Sequence, residues 1–192
     1  MSTYSALNVF KSLSKIIAQQ HGRQLSETRE RLSLNAGFSC YHDLQNVGLR
    51  YCDDARLLRV AFGVEKFADV FFLPEIREEL AEQVNQRALQ DDLAPKASGI
   101  RYHMDNLLVE SRYDAEKGIL IAHGEADLTR IEQCRYAQQF QWFSATLDFE
   151  VKFREQRWRL VCSSISMRLE ANDEEGFIED LVDDFPPTEF WD

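Results

Sequence analysis

From Trp142 to Phe153 the chain alternates without interruption. Phe143, Ala145, Leu147, Phe149, Val151 and Phe153 hold one parity, and Ser144, Thr146, Asp148, Glu150 and Lys152 hold the other. Successive side chains of a strand point to opposite faces, so this stretch requires a sheet with one dry face and one wet face. Such a strand needs partners beside it and a cover over its apolar parity.

The partners lie in the same half of the chain. The period of two begins near Arg101, and Asn106 to Tyr113 reads as a first strand. The turn Asp114-Ala-Glu-Lys-Gly118 leads into a second strand, Ile119 to Leu128. Gly118 suits a positive φ there. After the alternating segment, Arg154-Glu-Gln-Arg157 turns the chain into Trp158 to Leu169. The expectation is a four-stranded antiparallel meander over 99–170.

The cover has to come from the first half, which reads as helices. Residues 5–20 carry Leu7, Phe10, Leu13 and Ile17 at helical spacing and stop at His21-Gly22. Ser26 is placed to cap a second helix to about Ala36. Ser39 is placed to cap a third over 40–47, with Gly48 breaking it. Asp53-Asp54 opens an apolar helix that ends at Gly63, followed by the patch Phe67 to Leu73. Pro74 fits the first turn of a long helix to about Gln90, with Ile76, Leu80, Val84 and Leu89 as its apolar positions. Residues 94–99, with Pro95 and Gly99, connect the halves. The predicted class is α+β. A three-helix module spans 1–50, a helical region packed on the sheet spans 51–98, and an acidic tail spans 171–192; one compact domain can hold all of it.

Charge is segregated. The net charge is −11, yet residues 170–192 hold ten acids and no Lys or Arg, which leaves the remainder close to neutral. The tail therefore sets the acidity. Its segment Gly176 to Phe185 spaces Phe177, Ile178, Leu181, Val182 and Phe185 as one side of an amphipathic helix. Pro186-Pro187 follows, then Phe190 and Trp191. Acids interleaved with aromatics suit docking in a basic, apolar-lined groove of another protein, so Phe177, Ile178, Leu181, Phe185, Phe190 and Trp191 are the candidate contact residues. Packing of the same segment on its own sheet is the equal alternative.

The four cysteines are widely spaced, which points to a reducing cytoplasm and buried thiols. The N-terminus lacks the pattern of a secretory signal, and no run approaches the ~18 apolar residues of a membrane span. No Gly-rich phosphate loop or nucleophile motif occurs. No cofactor is expected.

One segment resembles a known module. The Lys11/Leu13/Lys15 helix, the cap and helix at Leu25-Ser26-Glu27-Thr28, and Gly37-Phe38-Ser39-Cys40-Tyr41-His42-Asp43-Leu44 carry it. Over residues 7–47 the chain resembles the small N-terminal helical module of glyoxalase-related and other bacterial mobile-element proteins. The resemblance implies a bacterial, plasmid or integrated-element origin. It does not extend to glyoxalase chemistry, since nothing after residue 50 looks like that metal-binding fold.

Three site readings remain open. The leading one is a non-catalytic interaction or regulatory protein that contacts another protein through the tail or a sheet edge. In the second, helices 26–36 and 40–47 act as a helix-turn-helix, with Arg29 and Arg31 on phosphates and Gln45 and Asn46 on bases. The would-be recognition helix Cys-Tyr-His-Asp-Leu-Gln-Asn lacks Arg and Lys, which disfavours it. In the third, His123, Glu125 and Asp127 share one strand face. Pairing Tyr113 with Ile119 would set Asp105 opposite Asp127, a set of groups that could hold a divalent cation for hydrolysis. A solvated sheet face explains the same residues. Cys40, His42 and Cys52 offer too few ligands for a structural zinc site.

Overall fold

In a computed structural model the described residues are 2–91, 100–133 and 137–179. Five helices come first: α1 (Ala6–His21), α2 (Leu25–Asn35), α3 (Tyr41–Arg50), α4 (Ala55–Phe62) and α5 (Pro74–Asp91). A 3₁₀ helix, Phe67–Phe72, precedes α5. Five strand segments follow: β1 (Ile100–Asp114), β2 (Ile119–Gln133), β3 (Ala137–Arg154), β4 (Arg157–Leu160) and β5 (Ser166–Glu179). All pairings are antiparallel, in the order β1-β2-β3, with β4 and β5 sharing the far edge of β3. The α+β reading and the meander hold.

The fourth strand of the meander is broken in two. A 3₁₀ turn at Cys162–Ser164 separates β4 from β5. The ladder is bridged across the break: Val161 N donates to the Glu150 carbonyl at 2.9 Å, and Glu150 N donates to Ser164 Oγ at 2.8 Å. Serine thus supplies the acceptor that the interrupted backbone withdraws.

Helix ends follow cap chemistry, with three departures from the sequence reading. Ser5 caps α1 and Gly22 ends it at φ 60°. The residue before α2 is Gln24 rather than Ser26, and it makes no side-chain cap bond. At α3 the cap is Cys40, whose Sγ accepts from Asp43 N at 3.4 Å. Ser39 instead donates from N and Oγ to Asp43 Oδ2, at 3.0 Å each. Gly48 does not break α3, which runs on to Arg50. Its missing side chain lets helices close in: a Cβ there would lie 3.1 Å from Leu57 Cδ2 and 3.3 Å from Leu7 Cβ. Glycine here serves packing of α3 against α1 and α4.

The inner sheet face is the parity foreseen. Leu120, Ala122, Ala126 and Leu128 of β2 are buried with Ala145, Leu147, Phe149, Val151 and Phe153 of β3. Helix α5 covers this layer with Ile76, Leu80, Val84 and Ala88, while Leu89 stays exposed. The strict spacing of four selects Ala88, so the expected place of Leu89 in the stripe is corrected. Phe62 at the end of α4 meets Phe67, Tyr113, Phe153 and Trp158 at centroid distances of 4.9–5.6 Å. Trp158 Nε1 donates to the Phe62 carbonyl at 3.1 Å, so the cluster also satisfies a helix-end acceptor. Burial in this cluster pushes the Tyr113 phenol pKa well up. Helices and sheet share one continuous core.

Two expectations need correcting. The segment read as the start of a tail helix belongs to β5: Phe177 and Ile178 pair with Gln139 and Gln138 of β3. Pairing along β3 prevails over the helical spacing of the apolar residues. The three described thiols are not buried either, since Cys52 is exposed and Cys40 and Cys162 are half-buried; Cys134 falls outside the described residues. No helix among the described residues is long and apolar enough to cross a membrane.

Candidate functional site

The wet face of the sheet lies opposite the helices. Its geometry depends on an irregularity in β1. Near the turn the register is Asp114↔Ile119 and Tyr113↔Leu120, one step away from the expected Tyr113 with Ile119. At Asn106–Leu107 a bulge inserts one residue, and Asn106 takes φ 47°. Beyond the bulge, Asp105 stands opposite Asp127 as expected, because the two one-step offsets cancel. The bulge also changes which parity of β1 faces out. Before it Tyr102 and Met104 are buried; after it Leu108 points outward and is 71% exposed.

Three rows cross this outer face. The first is Glu110, His123, Asp148 and Ser166; the second is Leu108, Glu125, Thr146 and Arg168; the third is Asp105, Asp127, Ser144 and Glu170. Six of these twelve positions are carboxylates, and Arg168 is the one Lys or Arg among them. At the hairpin end the rows turn mixed, with Arg112, Ile121 and Glu150, then Ile119, Lys152 and Arg159. Among the described side chains of the sheet, the large apolar residues that remain exposed, Leu108, Ile121 and Trp142, all lie on this face.

Individual groups are held by neighbours. His123 Nδ1 and Asp148 Oδ1 stand 2.7 Å apart. The hydrogen bond with Asp148, and then its charge, raise the His123 pKa above the ordinary imidazole value. Asn106 donates from Nδ2 to Asp127 Oδ2 at 2.8 Å, so the bulge residue orients that carboxylate. His103 Nε2 lies 3.3 Å from Asp105 Oδ1. Two shallow depressions flank the Leu108–Glu125 row. One, of about 350 Å³, reaches Asp127, Thr146 and Glu170; the other, of about 500 Å³, reaches Glu110 and His123.

His123, Glu125, Asp127 and Asp105 thus share a face, but only Asp105 and Asp127 stand in one row, and His123 and Glu125 each stand in another. Among the described residues no group of three or more His, Cys, Asp or Glu is placed to hold a metal ion. The row spacing of a strand, about 6.6 Å between residues i and i+2, keeps the side chains apart.

The helix-turn-helix candidates are largely engaged in packing. Arg29 donates from Nε to Ser14 Oγ at 3.4 Å and sits over the Tyr41 ring at 5.4 Å. Gln45 Nε2 donates to the Tyr41 hydroxyl at 3.1 Å. Tyr41 also stacks on Phe10, and its amide donates to Glu30 Oε2. Arg31 and Asn46 are exposed. Of the tail candidates, Phe177 and Ile178 lie in β5, and Leu181, Phe185, Phe190 and Trp191 fall outside the described residues.

Sequence reasoning missed Leu108, Asn106 and the carboxylate of Glu170 as members of this face. The alternation of β3 already placed Asp148 outward, but a bulge leaves no mark in the periodicity of β1 that would show Leu108 turned out. No family model matches the chain, and no curated protein or solved structure does so either.

Proposed function

We propose that this is a non-catalytic interaction or regulatory protein that binds another protein through its acidic, aromatic C-terminal tail, together with the sheet edge from which that tail departs. The observation that carries the reading is charge segregation at one structural place. Among the described residues β5 pairs only with β3, and the ten acids of residues 170–192 begin within β5 and continue past it. The partner would be a protein with a basic, apolar-lined surface, met in the cytoplasm. The mobile-element origin implied by residues 7–47 belongs to the same proposal.

The experiment is capture from a bacterial extract on immobilised chain, with one truncation and one charge-reversed variant of the sheet face. Ending the chain after Glu179 keeps every described strand pair and is expected to lose the partner. A captured protein that is equally retained by this truncated chain and by a charge-reversed sheet face would refute the reading. DNA binding through the helical module is the weaker alternative, because Arg29 and Gln45 are committed to Tyr41 and Ser14. It would require salt-sensitive DNA retention that depends on Arg31.

A further inference from the structure

The inner sheet face is covered by helix α5, whereas among the described residues the outer face is covered by nothing. We infer that the outer face docks a basic amphipathic helix of the partner, with its apolar residues on Leu108 and its cations in the two flanking depressions. This rests on the protein-binding reading above and names the surface and the chemistry of the partner.

Three observations converge. First, the charge of the face is one-sided over a bounded length. From the His123 row to the Asp127 row, the band spans five residues of β2, four steps or about 13 Å. It offers six carboxylates against Arg168 and the Asp148-bound His123. Beyond the band Arg112 and Lys152 face out on one side and Arg101 on the other, which marks its limits. Second, Leu108, 71% exposed, is the one apolar position among the twelve of the acidic band, so it is the point on which an apolar side chain of a partner can rest. The bulge at Asn106 puts it there. Third, Leu108 and Glu125 line both depressions and so form the ridge between them.

Dimensions favour a helix over a strand. A single added strand docks on a sheet edge through backbone bonds, whereas a sheet face is covered by a helix or by a whole second sheet, and a helix is the smaller unit that fits a band of this length. Two positions along a strand are about 6.6 Å apart, and residues i and i+4 of a helix are about 6 Å apart. A helix lying along the strands can therefore set a Lys or Arg on each side of the Leu108 ridge. The acidic band accommodates about nine residues of such a helix at 1.5 Å each.

The test uses the full chain and synthetic 18-residue peptides: an amphipathic Leu/Lys helix, a Ser/Lys peptide of equal charge, and an amphipathic Leu/Glu helix. Calorimetry is expected to show binding of the Leu/Lys helix, at least tenfold weaker binding of Ser/Lys, and none of Leu/Glu. The Glu125→Lys/Asp127→Lys variant should weaken Leu/Lys binding at least tenfold. Leu108→Ser should do so without any change of charge, and circular dichroism melts confirm that both variants are folded. The chain ended after Glu179 should retain that binding. Loss on this truncation with no effect of the face variants overturns the docking site while leaving the tail reading intact. Equal binding of Ser/Lys and Leu/Lys, or no binding of either, overturns the inference outright.

Discussion

Gly118 ends the β1–β2 turn at φ 64°, and a Cβ there would lie 2.6 Å from Tyr4 Cγ and 2.9 Å from Arg154 Nη1. The surrounding contacts explain why the space is filled. Tyr4 N donates to the Ala115 carbonyl, Tyr113 Oη donates to the Tyr4 carbonyl, and Arg154 lies over the Tyr4 ring while donating from Nη2 to the Lys117 carbonyl. Gly118→Ala carries the backbone penalty of about 1 kcal/mol and also displaces this clasp between N-terminus and hairpin, so a loss of about 2–3 kcal/mol in urea unfolding is expected. The turn, its glycine and the positive φ there are legible in the sequence; the close approach of Tyr4 is not, because Tyr4 is remote from it in the chain. His123 allows a second test at this scale. Its bond with Asp148 raises its pKa, so the pair is strongest while the imidazole is protonated, and any stability it adds is lost as pH rises through the folded-state pKa. The NMR titration midpoint of His123 should lie above the ordinary histidine value and fall towards it in Asp148→Asn.

Element boundaries were read well where local chemistry alone decides them. Asp54 illustrates this: its carboxylate accepts from Arg56 N at 3.0 Å and Leu57 N at 3.3 Å, and it pairs with the Arg56 side chain. The Arg56 hydrogen bond, foremost, holds the Asp54 pKa below its usual value. A depressed carboxylate contributes stability above its unfolded pKa and loses it as pH falls through the folded one. Asp54→Ala should therefore cost about 1 kcal/mol at neutral pH and progressively less in acid, as pH falls below the ordinary carboxylate range towards the depressed pKa of the native cap. Urea midpoints at pH 7 and pH 3 measure the difference. Boundaries were misread where a distant element decides them. Gly48 looks like a stop but is spanned by α3, because Leu7 and Leu57 need the room. The bulge at Asn106 is set by how β1 meets β2, and no local periodicity encodes it.

At the scale of the whole molecule the question is where the fold ends. Sequence spacing placed an amphipathic helix from Gly176, which would have made residues 171–192 dispensable. The sheet instead carries β5 to Glu179, opposite Ala137–Gln141 of β3. An acid-rich stretch can serve as a strand here because it lies on an edge, where charge discourages further pairing with other chains. Two truncations separate the alternatives. Ending the chain after Glu179 removes none of the described strand pairs, so its thermal midpoint should match that of the full chain. Ending it after Glu170 strips the partner from Ala137–Gln141 and leaves backbone donors and acceptors of β3 on a new edge. That chain should melt several degrees lower and associate at high concentration, as seen by light scattering. Were both truncations to melt alike, residues 171–179 would add nothing to the sheet, and the acidic segment would be a free tail from residue 171 onward. The distinction matters for function, since only the chain ended after Glu179 tests partner capture without also disturbing the face that carries Glu170, Asp127 and Leu108.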